Sequence, residues 1–351
     1  MTQKAPLVSL LMPVRNEANF IARSLGRVLS QDYPEDRLEV IVADGMSTDG
    51  TREIVRSLQA GRPNLRLIDN PGRIVPTGLN AAISQAKGEV IVRVDGHCEI
   101  EQDYVRRCVE HLSRGGVDCV GGPLETVGDT FVARGIAAAM SSPFGVGGSA
   151  FRTTRGKTML ADTVPFPSFT RAIIERAGPF DEELVRNQDD EYSYRLRRMG
   201  AKILLAADVR SRYYSRNSLS SLGRQYFQYG LWKVRVMQKH GRQMQVRQFI
   251  PLAFVVALLG SLIVAPFHPA GGWGFVSVSA CYLVAAAAAS LLTARKAGWA
   301  LLPLLPATFA TLHLSYGAGF LVGLIKHWNR WGDRETNWGQ GRPQVPGVKQ
   351  V

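Results

Sequence analysis

Neither Asp nor Glu occurs between positions 209 and 332, and three stretches inside that interval, residues 249–267, 273–294 and 297–325, carry no charge of either sign. Nothing else in the sequence constrains the fold as strongly. A helix of roughly 20 apolar residues crosses the hydrocarbon core of a bilayer, and each of the first two stretches matches one crossing. The third contains Pro303 and Pro306. It reads as a tilted or kinked span, or as a span preceded by an interfacial segment. Three such runs in succession are hard to place in a water-soluble core.

The 351-residue chain has a net charge of +13, and nine Lys or Arg residues with no acidic residue lie between Arg210 and Arg247. Basic residues beside a first span predict a cytoplasmic side and attract anionic headgroups. Arg295 and Lys296, between the second and third runs, agree with a return to that side, and the uncharged "HPAGG" would face outward. If the third run crosses fully, the tail "KHWNRWGDRETNW" ends outside, against its own basic charge. Nucleic acid does not account for the basic excess, which leads straight into apolar spans without an accompanying motif. A transporter lacks the acidic groups that an ion relay needs in its spans.

Cys98, Cys108, Cys119 and Cys281 show no CxxC spacing, so neither a zinc site nor a disulfide framework is indicated. Reduced thiols are expected. No cleavable signal peptide is expected either, because the chain enters an apolar strand at residues 7–12 without a long hydrophobic leader.

Up to about residue 245, short β-rich runs alternate with helical patterns. "LVSLLMPV", "LEVIVADG", "LRLIDN" and "EVIVRVDG" read as strands, with "NEANFIARSLGRVLSQ", "STDGTREIVRSLQA" and "VPTGLNAAISQA" as the intervening helices. Asn16 is expected to cap the first helix, and Ser47 or Asp49 the second. This alternation argues for an α/β domain with a mostly parallel sheet buried on both faces. Ligands of such sheets bind beyond the carboxyl ends of the strands. Residues 13–17, 44–49, 70–73 and 95–97, with Pro13, Glu17, Asp44, Arg73, Asp95 and His97 among them, should therefore converge on one edge. Neither GxGxxG after the first strand nor a GxxxxGK[ST] loop is present, which excludes the usual phosphate cradles. An acidic rim with one arginine suggests that a divalent cation holds the phosphates instead.

Asp95 and His97 fall on the same side of an extended segment, because side chains alternate with period two. A carboxylate with an imidazole suits Mn²⁺, while Mg²⁺ prefers oxygen ligands. In "NQDDEYSYR", Asp189, Asp190 and Glu191 crowd together, which tends to raise one pKa; carboxylates at a helix N-terminus are also favoured by the dipole. "GRQYFQYGLWK", with Gln225, Gln228 and Trp232, suits either a helix at the membrane surface or a wall of a binding site. "TVPFPSFTR", residues 163–171, reads as a loop.

"VSLLMPVRNEANFIARSL", "VIVADGMSTDGTREIV", "GEVIVRVDGH" and "FDEELVRNQDDEYSYRLRRMG" together resemble glycosyltransferase family 2, over about residues 5–235. The forms DGMSTDGT, RVDGH and RNQDDE resemble its succinoglycan-biosynthesis, ExoA-like branch. The resemblance implies a GT-A fold over residues 1–235; charge and hydropathy add a basic juxtamembrane segment at 236–248, about three transmembrane helices within 249–326 and a tail at 327–351. It implies an inverting transferase, with Glu17 and Asp44 binding the base and ribose, Asp49 shaping the loop and Arg73 meeting phosphate. Asp95 and His97 stand for the family's DxD metal motif and would hold Mn²⁺ or Mg²⁺. Asp189 is the implied base, with Asp190 and Glu191 beside it in the substrate site. Gln225-x-x-Gln228-Tyr229 departs from the QxxRW of processive synthases, and residues 163–171 would line the acceptor sugar.

The expected activity is transfer of a sugar, glucose foremost, from a UDP-sugar to a saccharide on polyprenyl diphosphate. The expected place is the cytoplasmic face of a bacterial inner membrane, in exopolysaccharide biosynthesis and alongside other assembly proteins. Transfer to polyprenyl phosphate, processive synthesis and a catalytically silent membrane scaffold are the alternatives.

Overall fold

The structure is a computed structural model and describes residues 5–154 and 156–333. Most of the expected tail, residues 334–351, lies outside the described residues. The chain opens with β1 (Val8–Val14), α1 (Ile21–Leu29), β2 (Leu38–Asp44), α2 (Thr51–Gln59), β3 (Leu65–Asp69), α3 (Val75–Gln85) and β4 (Val90–Arg93). Next come β5 (Cys98–Ile100), α4 (Tyr104–Ser113), β6 (Cys119–Gly121), β7 (Leu124–Val127), α5 (Phe131–Met140), α6 (Pro143–Val146) and α7 (Ala150–Thr153). They are followed by β8 (Met159–Leu160), β9 (Ser168–Thr170), α8 (Arg171–Ala177), α9 (Gln188–Arg198), β10 (Ile203–Leu205) and β11 (Ser211–Tyr214). The long α10 (Leu219–Lys239) leads to the apolar α11 (Ile250–Val264), α12 (Pro269–Ala297) and α13 (Leu305–Lys326).

Eight strands form one sheet in the order β3-β2-β1-β4-β9-β6-β10-β8, and β5-β11-β7 form a second. The first four strands run parallel, as does the β6–β10 pair, whereas β9 is antiparallel to both β4 and β6. Side-chain alternation gives the main sheet two buried faces. Leu10, Met12, Val40 and Val42 pack with α1, α2 and α4, while Leu11, Ile41 and Ala43 pack with α3, α8 and α9. Part of the stretch expected as a loop, Ser168–Thr170, is thus the strand that joins the two halves of the sheet.

The expected helix caps are not formed. Asn16 takes a left-handed φ of 54°, its Oδ1 accepts from Thr48 N (3.0 Å), and α1 starts only at Ile21. Gly50 occupies the cap position of α2, with φ of 91°. Ser47 Oγ instead accepts from Asn16 N (2.8 Å), and Asp49 accepts from Ala18 N (3.0 Å) and Thr51 N (3.1 Å). These polar groups tie the loops after β1 and β2 to each other. Burial works against the charge of Asp49, but the bonds from Thr51 and Ala18 lower its pKa.

Three C-terminal helices are long and apolar enough to cross a membrane. They differ in how much of them the protein covers. Along α11, α12 and the turn between them, Leu259, Ile263, Phe267, Trp273, Leu283 and Val284 are exposed, an apolar surface suited to lipid. By contrast, α13 lies along α10 with backbones in near contact. A Cβ on Gly319 would sit 2.0 Å from the Phe227 carbonyl oxygen, and one on Gly230 2.1 Å from that of Tyr316. Small residues permit such approach between helices in lipid. Both ends of α13 rest on the N-terminal part of the chain. Leu304 packs over Gly135 of α5, and beyond the helix Gln238 Nε2 donates to the His327 carbonyl (2.7 Å). Arg330 pairs with Glu183 (2.7 Å), and Asp333 with Arg235 (3.1 Å).

Four of the nine cations in the basic run before α11 are neutralised by acidic partners. Lys233 pairs with Asp190, Arg235 with Glu183 and Asp333, Lys239 with Asp181 and Glu183, and Arg212 with Glu125. Most of these cations clamp the acidic segment 181–190, a partner too distant in sequence to be paired by pattern.

Candidate active site

One cavity of about 1570 Å³ opens at the carboxyl ends of β1, β3 and β4. Pro13, Glu17, Asn70, Arg73, Asp95 and His97 line it, so the expected convergence of strand-end loops is present. Asp44 does not line it. Its carboxylate is fully buried behind the wall, where Oδ2 accepts from Arg52 Nη1 (2.8 Å) and Ser47 N (3.0 Å) while Oδ1 has no partner. Five non-glycine residues among those described have positive φ; three of them, Arg73, Phe166 and Asn187, line the cavity. Strain of this kind concentrates where side chains must be held at a fixed angle.

At the end of β4 the chain turns instead of continuing extended: the strand stops at Arg93, and β5 begins at Cys98. Asp95 and His97 nevertheless reach the same cavity. Arg93 grips both Asp95 oxygens, Nε to Oδ1 at 2.9 Å and Nη2 to Oδ2 at 3.1 Å. Burial works against the Arg93 charge, but Asp95 and then Asp189 outweigh it and raise its pKa. The charge of Arg93 thus acts on both carboxylates, while its hydrogen bonds go to Asp95 alone. Glu17, expected at the base and ribose, lies with Oε1 2.8 Å from His97 Nδ1.

The acidic motif is divided among three environments. Asp190 Oδ2 is bound by Lys233 Nζ and by Gln243 Nε2 (2.7 Å). Glu191 is fully buried, accepts two bonds from Arg195 (3.0 and 2.9 Å), and lies 3.0 Å from His240 Nε2. Burial alone would raise the Glu191 pKa, yet His240 and Arg195 lower it. Asp189, exposed to the cavity, has no hydrogen-bond or ion-pair partner among the described residues. The same helical turn therefore holds two anchored carboxylates and one free one.

Gln225 and Gln228 of α10 line the cavity, with Gln225 Nε2 bonded to Tyr229 Oη (2.9 Å) and Tyr213 Oη (3.2 Å). Trp232 does not line it; its indole N–H is donated to Gln228 Oε1 (3.2 Å). Glu191 is likewise outside the lining. The segment Thr163–Pro167 forms part of the wall. So α10 is a wall of the site on one side and the seat of α13 on the other.

The family model described as Glycosyl transferase family 2 matches residues 9–178. The succinoglycan biosynthesis protein ExoA of Rhizobium meliloti is 32% identical over 263 residues, 72% of this chain and 77% of that protein. The chain belongs to glycosyltransferase family 2. A Methanococcus voltae relative, dolichyl N-acetyl-alpha-D-glucosaminyl phosphate 3-beta-D-2,3-diacetamido-2,3-dideoxy-beta-D-glucuronosyltransferase, is 27% identical over 327 residues, 91% of this chain and 97% of its own. Among solved structures, the mannosyltransferase PcManGT of Pyrobaculum calidifontis, in complex with GDP-Man and Mn²⁺, superposes with a TM-score of 0.60 at 23% identity. It covers 92% of this chain and 88% of that one, a likeness of fold. The protein is a glycosyltransferase with the GT-A fold.

Among the described residues of this glycosyltransferase, no group of three or more His, Cys, Asp or Glu is arranged to hold a metal. A cation that keeps diphosphate oxygens and water needs only one or two protein ligands. The donor set fits that case. A metal-binding imidazole typically gives its second nitrogen to a carboxylate, and the Glu17–His97 pair leaves Nε2 for an ion. The Asp95 carboxylate retains lone pairs after accepting from Arg93. Sequence reasoning missed Arg93, Arg52 and Lys233. A charged residue inside the apolar run "VIVRVDG" was the one available signal, since a buried arginine implies a nearby carboxylate.

Proposed function

We propose that this glycosyltransferase moves one hexose, glucose being the expected one, from a UDP-sugar onto a saccharide carried by polyprenyl diphosphate, with inversion. The observation that carries this reading is Asp189: the free carboxylate of the acidic motif, in one cavity with Arg73, Asp95 and His97. Asp189 takes the proton of the acceptor hydroxyl as that oxygen bonds the anomeric carbon. The bond from that carbon to the diphosphate breaks, and the nucleotide leaves with the electron pair. Mn²⁺ or Mg²⁺ held by Asp95 and His97 would neutralise the charge of the leaving diphosphate. Arg93 holds the Asp95 carboxylate, Glu17 orients His97, and Arg73 meets phosphate.

The activities of relatives named above support the class of product and acceptor. One is a succinoglycan biosynthesis protein, and another transfers a sugar to a dolichyl-linked sugar phosphate. The Mn²⁺ in the mannosyltransferase complex supports a divalent cofactor. We read residues 1–235 with the rest of α10 as the catalytic domain at the cytoplasmic face, anchored through 236–248. In this reading α11 and α12 form a hairpin of two crossings. The third apolar helix stays against the domain, since residues 327–333 are bonded to Glu183, Arg235 and Gln238. In this reading the tail lies on the cytoplasmic side, in agreement with its basic charge. A fluorescent protein fused at the C-terminus is then expected to be bright, and a periplasmic phosphatase fusion inactive; the reverse would require α13 to cross.

Purified protein with a panel of UDP- and GDP-sugars, under Mn²⁺, Mg²⁺ or chelator, tests the chemistry. Metal-dependent use of one UDP-sugar is expected. Asp189→Asn should lower turnover by roughly 10²–10⁴ with nucleotide binding retained. Unchanged turnover in that variant would remove Asp189 from the role of base.

A further inference from the structure

The catalytic cavity does not end at the polar site. It continues between the apolar helices, each of which contributes one helical face: Ile250, Pro251 and Phe254 from α11, Ser277, Val278, Cys281 and Tyr282 from α12, and Leu312, His313 and Tyr316 from α13. Spacings of three and four residues, as between Ile250 and Phe254 or Val278 and Cys281, are those of a single face. The walls are built of rings. Phe254 stacks on Tyr282 with centroids 4.4 Å apart, and Phe144 of α6 meets His313 edge-on at 4.9 Å. His313 is fixed between the Phe144 carbonyl (2.8 Å) and the Tyr282 hydroxyl (3.0 Å), so the groove has a defined shape.

Its depth follows from the hairpin. Ser261 faces Gly274 and Phe254 faces Tyr282, so Phe254, on the second turn of α11, marks the end of the hairpin nearest the catalytic domain. Beyond that level the last third of α12, including Ala289 and Ala294, is buried with Leu301 in the core. The groove therefore meets the leaflet on the catalytic side. In the same cavity Arg216 and Arg224 have no carboxylate partner among the described residues, unlike Lys233, Arg235 and Lys239 on the same stretch of chain.

We propose that this groove seats the first isoprene units of a polyprenyl diphosphate, with Arg216 and Arg224 meeting the diphosphate. The inference rests on the transferase reading above and adds where the lipid lies. The continuity of an apolar, ring-lined groove with Asp189 and with uncompensated arginines matches a ligand having a branched hydrocarbon tail, an anionic link and a sugar at its end.

The chain carries its own reporter. Cys281 is exposed and lines the groove, whereas Cys98, Cys108 and Cys119 are buried. N-ethylmaleimide labelling of full-length protein in detergent, read by mass spectrometry, follows occupancy of the groove. Undecaprenyl diphosphate at ten times its dissociation constant should slow Cys281 labelling about tenfold. Polyprenol without phosphate should protect at higher concentration only. In Arg216→Gln/Arg224→Gln the advantage of the diphosphate over polyprenol should shrink. No protection by the diphosphate lipid, or equal protection by diacylglycerol, would overturn the assignment. Binding of UDP-sugar, measured on the same sample by calorimetry, separates the two readings. Donor binding without lipid protection rejects the groove alone, and failure of both rejects the transferase reading as well.

Discussion

The two halves of the site, proposed above as its donor and acceptor sides, are held together in different ways. On the donor side, the loops after β1, β2 and β4 are fixed by partners within the first hundred residues: Asn16 with Ser47 and Thr48, Asp44 with Arg52, Asp95 with Arg93, Glu17 with His97. On the acceptor side, the partners come from far along the chain. Asp190 depends on Lys233 and Gln243, Glu191 on His240, and Glu183 on Arg235 and Arg330. The donor side is thus a set of local motifs placed by a parallel sheet. The acceptor side is a charge network in which α10 and the segment after α13 neutralise one acidic stretch. A change on the donor side should cost affinity with little loss of fold. A change on the acceptor side should cost both.

The largest difference is expected at Arg235. It is fully buried, donates to Glu183 (2.9 and 3.0 Å), Asp333 (3.1 Å) and Gln238, and links the acidic segment to the end of α13. Arg235→Met leaves those partners uncompensated and should cost about 3 kcal/mol of stability, with transfer lost in parallel. Thermal unfolding in detergent reads it, and a melting temperature equal to wild type would break the comparison. Next in size is Glu17→Gln on the donor side. Removing the carboxylate behind a ligating imidazole typically weakens metal binding 10–100-fold. The Mn²⁺ concentration for half-maximal transfer should rise by about that factor while the melting temperature stays at the wild-type value. Unchanged Mn²⁺ dependence would detach Glu17 from the metal site.

The same contrast explains what the sequence reveals. The strands, their parallel order and the loops that meet at their ends follow from hydrophobic period and from the rule for open sheets. Asp189, Arg73, Asp95 and His97 are found where those loops converge. The identities of neighbours three or four residues apart are not decided locally. Asp44 and Glu191 are expected in the substrate site and are fully buried behind it, because Arg52 and Arg195 supply their counter-charge. Composition marks 297–325 as apolar, but whether such a segment crosses a bilayer or docks on a domain depends on what it meets. Gly319 and Gly323 allow it to meet α10 backbone to backbone, and no periodicity announces that partner.

The smallest predicted effect tests the acceptor network through pH. Burial opposes the charge of Glu183, but Arg235 and Lys239 hold its pKa down to about 2. An acid with a depressed folded pKa stabilises the fold above its unfolded value, near 4.3, and that contribution disappears as pH falls toward the folded value. Glu183 is partly exposed, so solvent screening reduces the effect to about 1 kcal/mol. Wild type should therefore lose stability from about pH 5 down to about pH 2 with a slope that Glu183→Gln flattens. Glu175→Gln, on the exposed face of α8, should leave the slope unchanged. An identical pH profile for Glu183→Gln and wild type would mean that the clamp holds by packing of the α10 and α13 backbones, and that the charges on it add nothing.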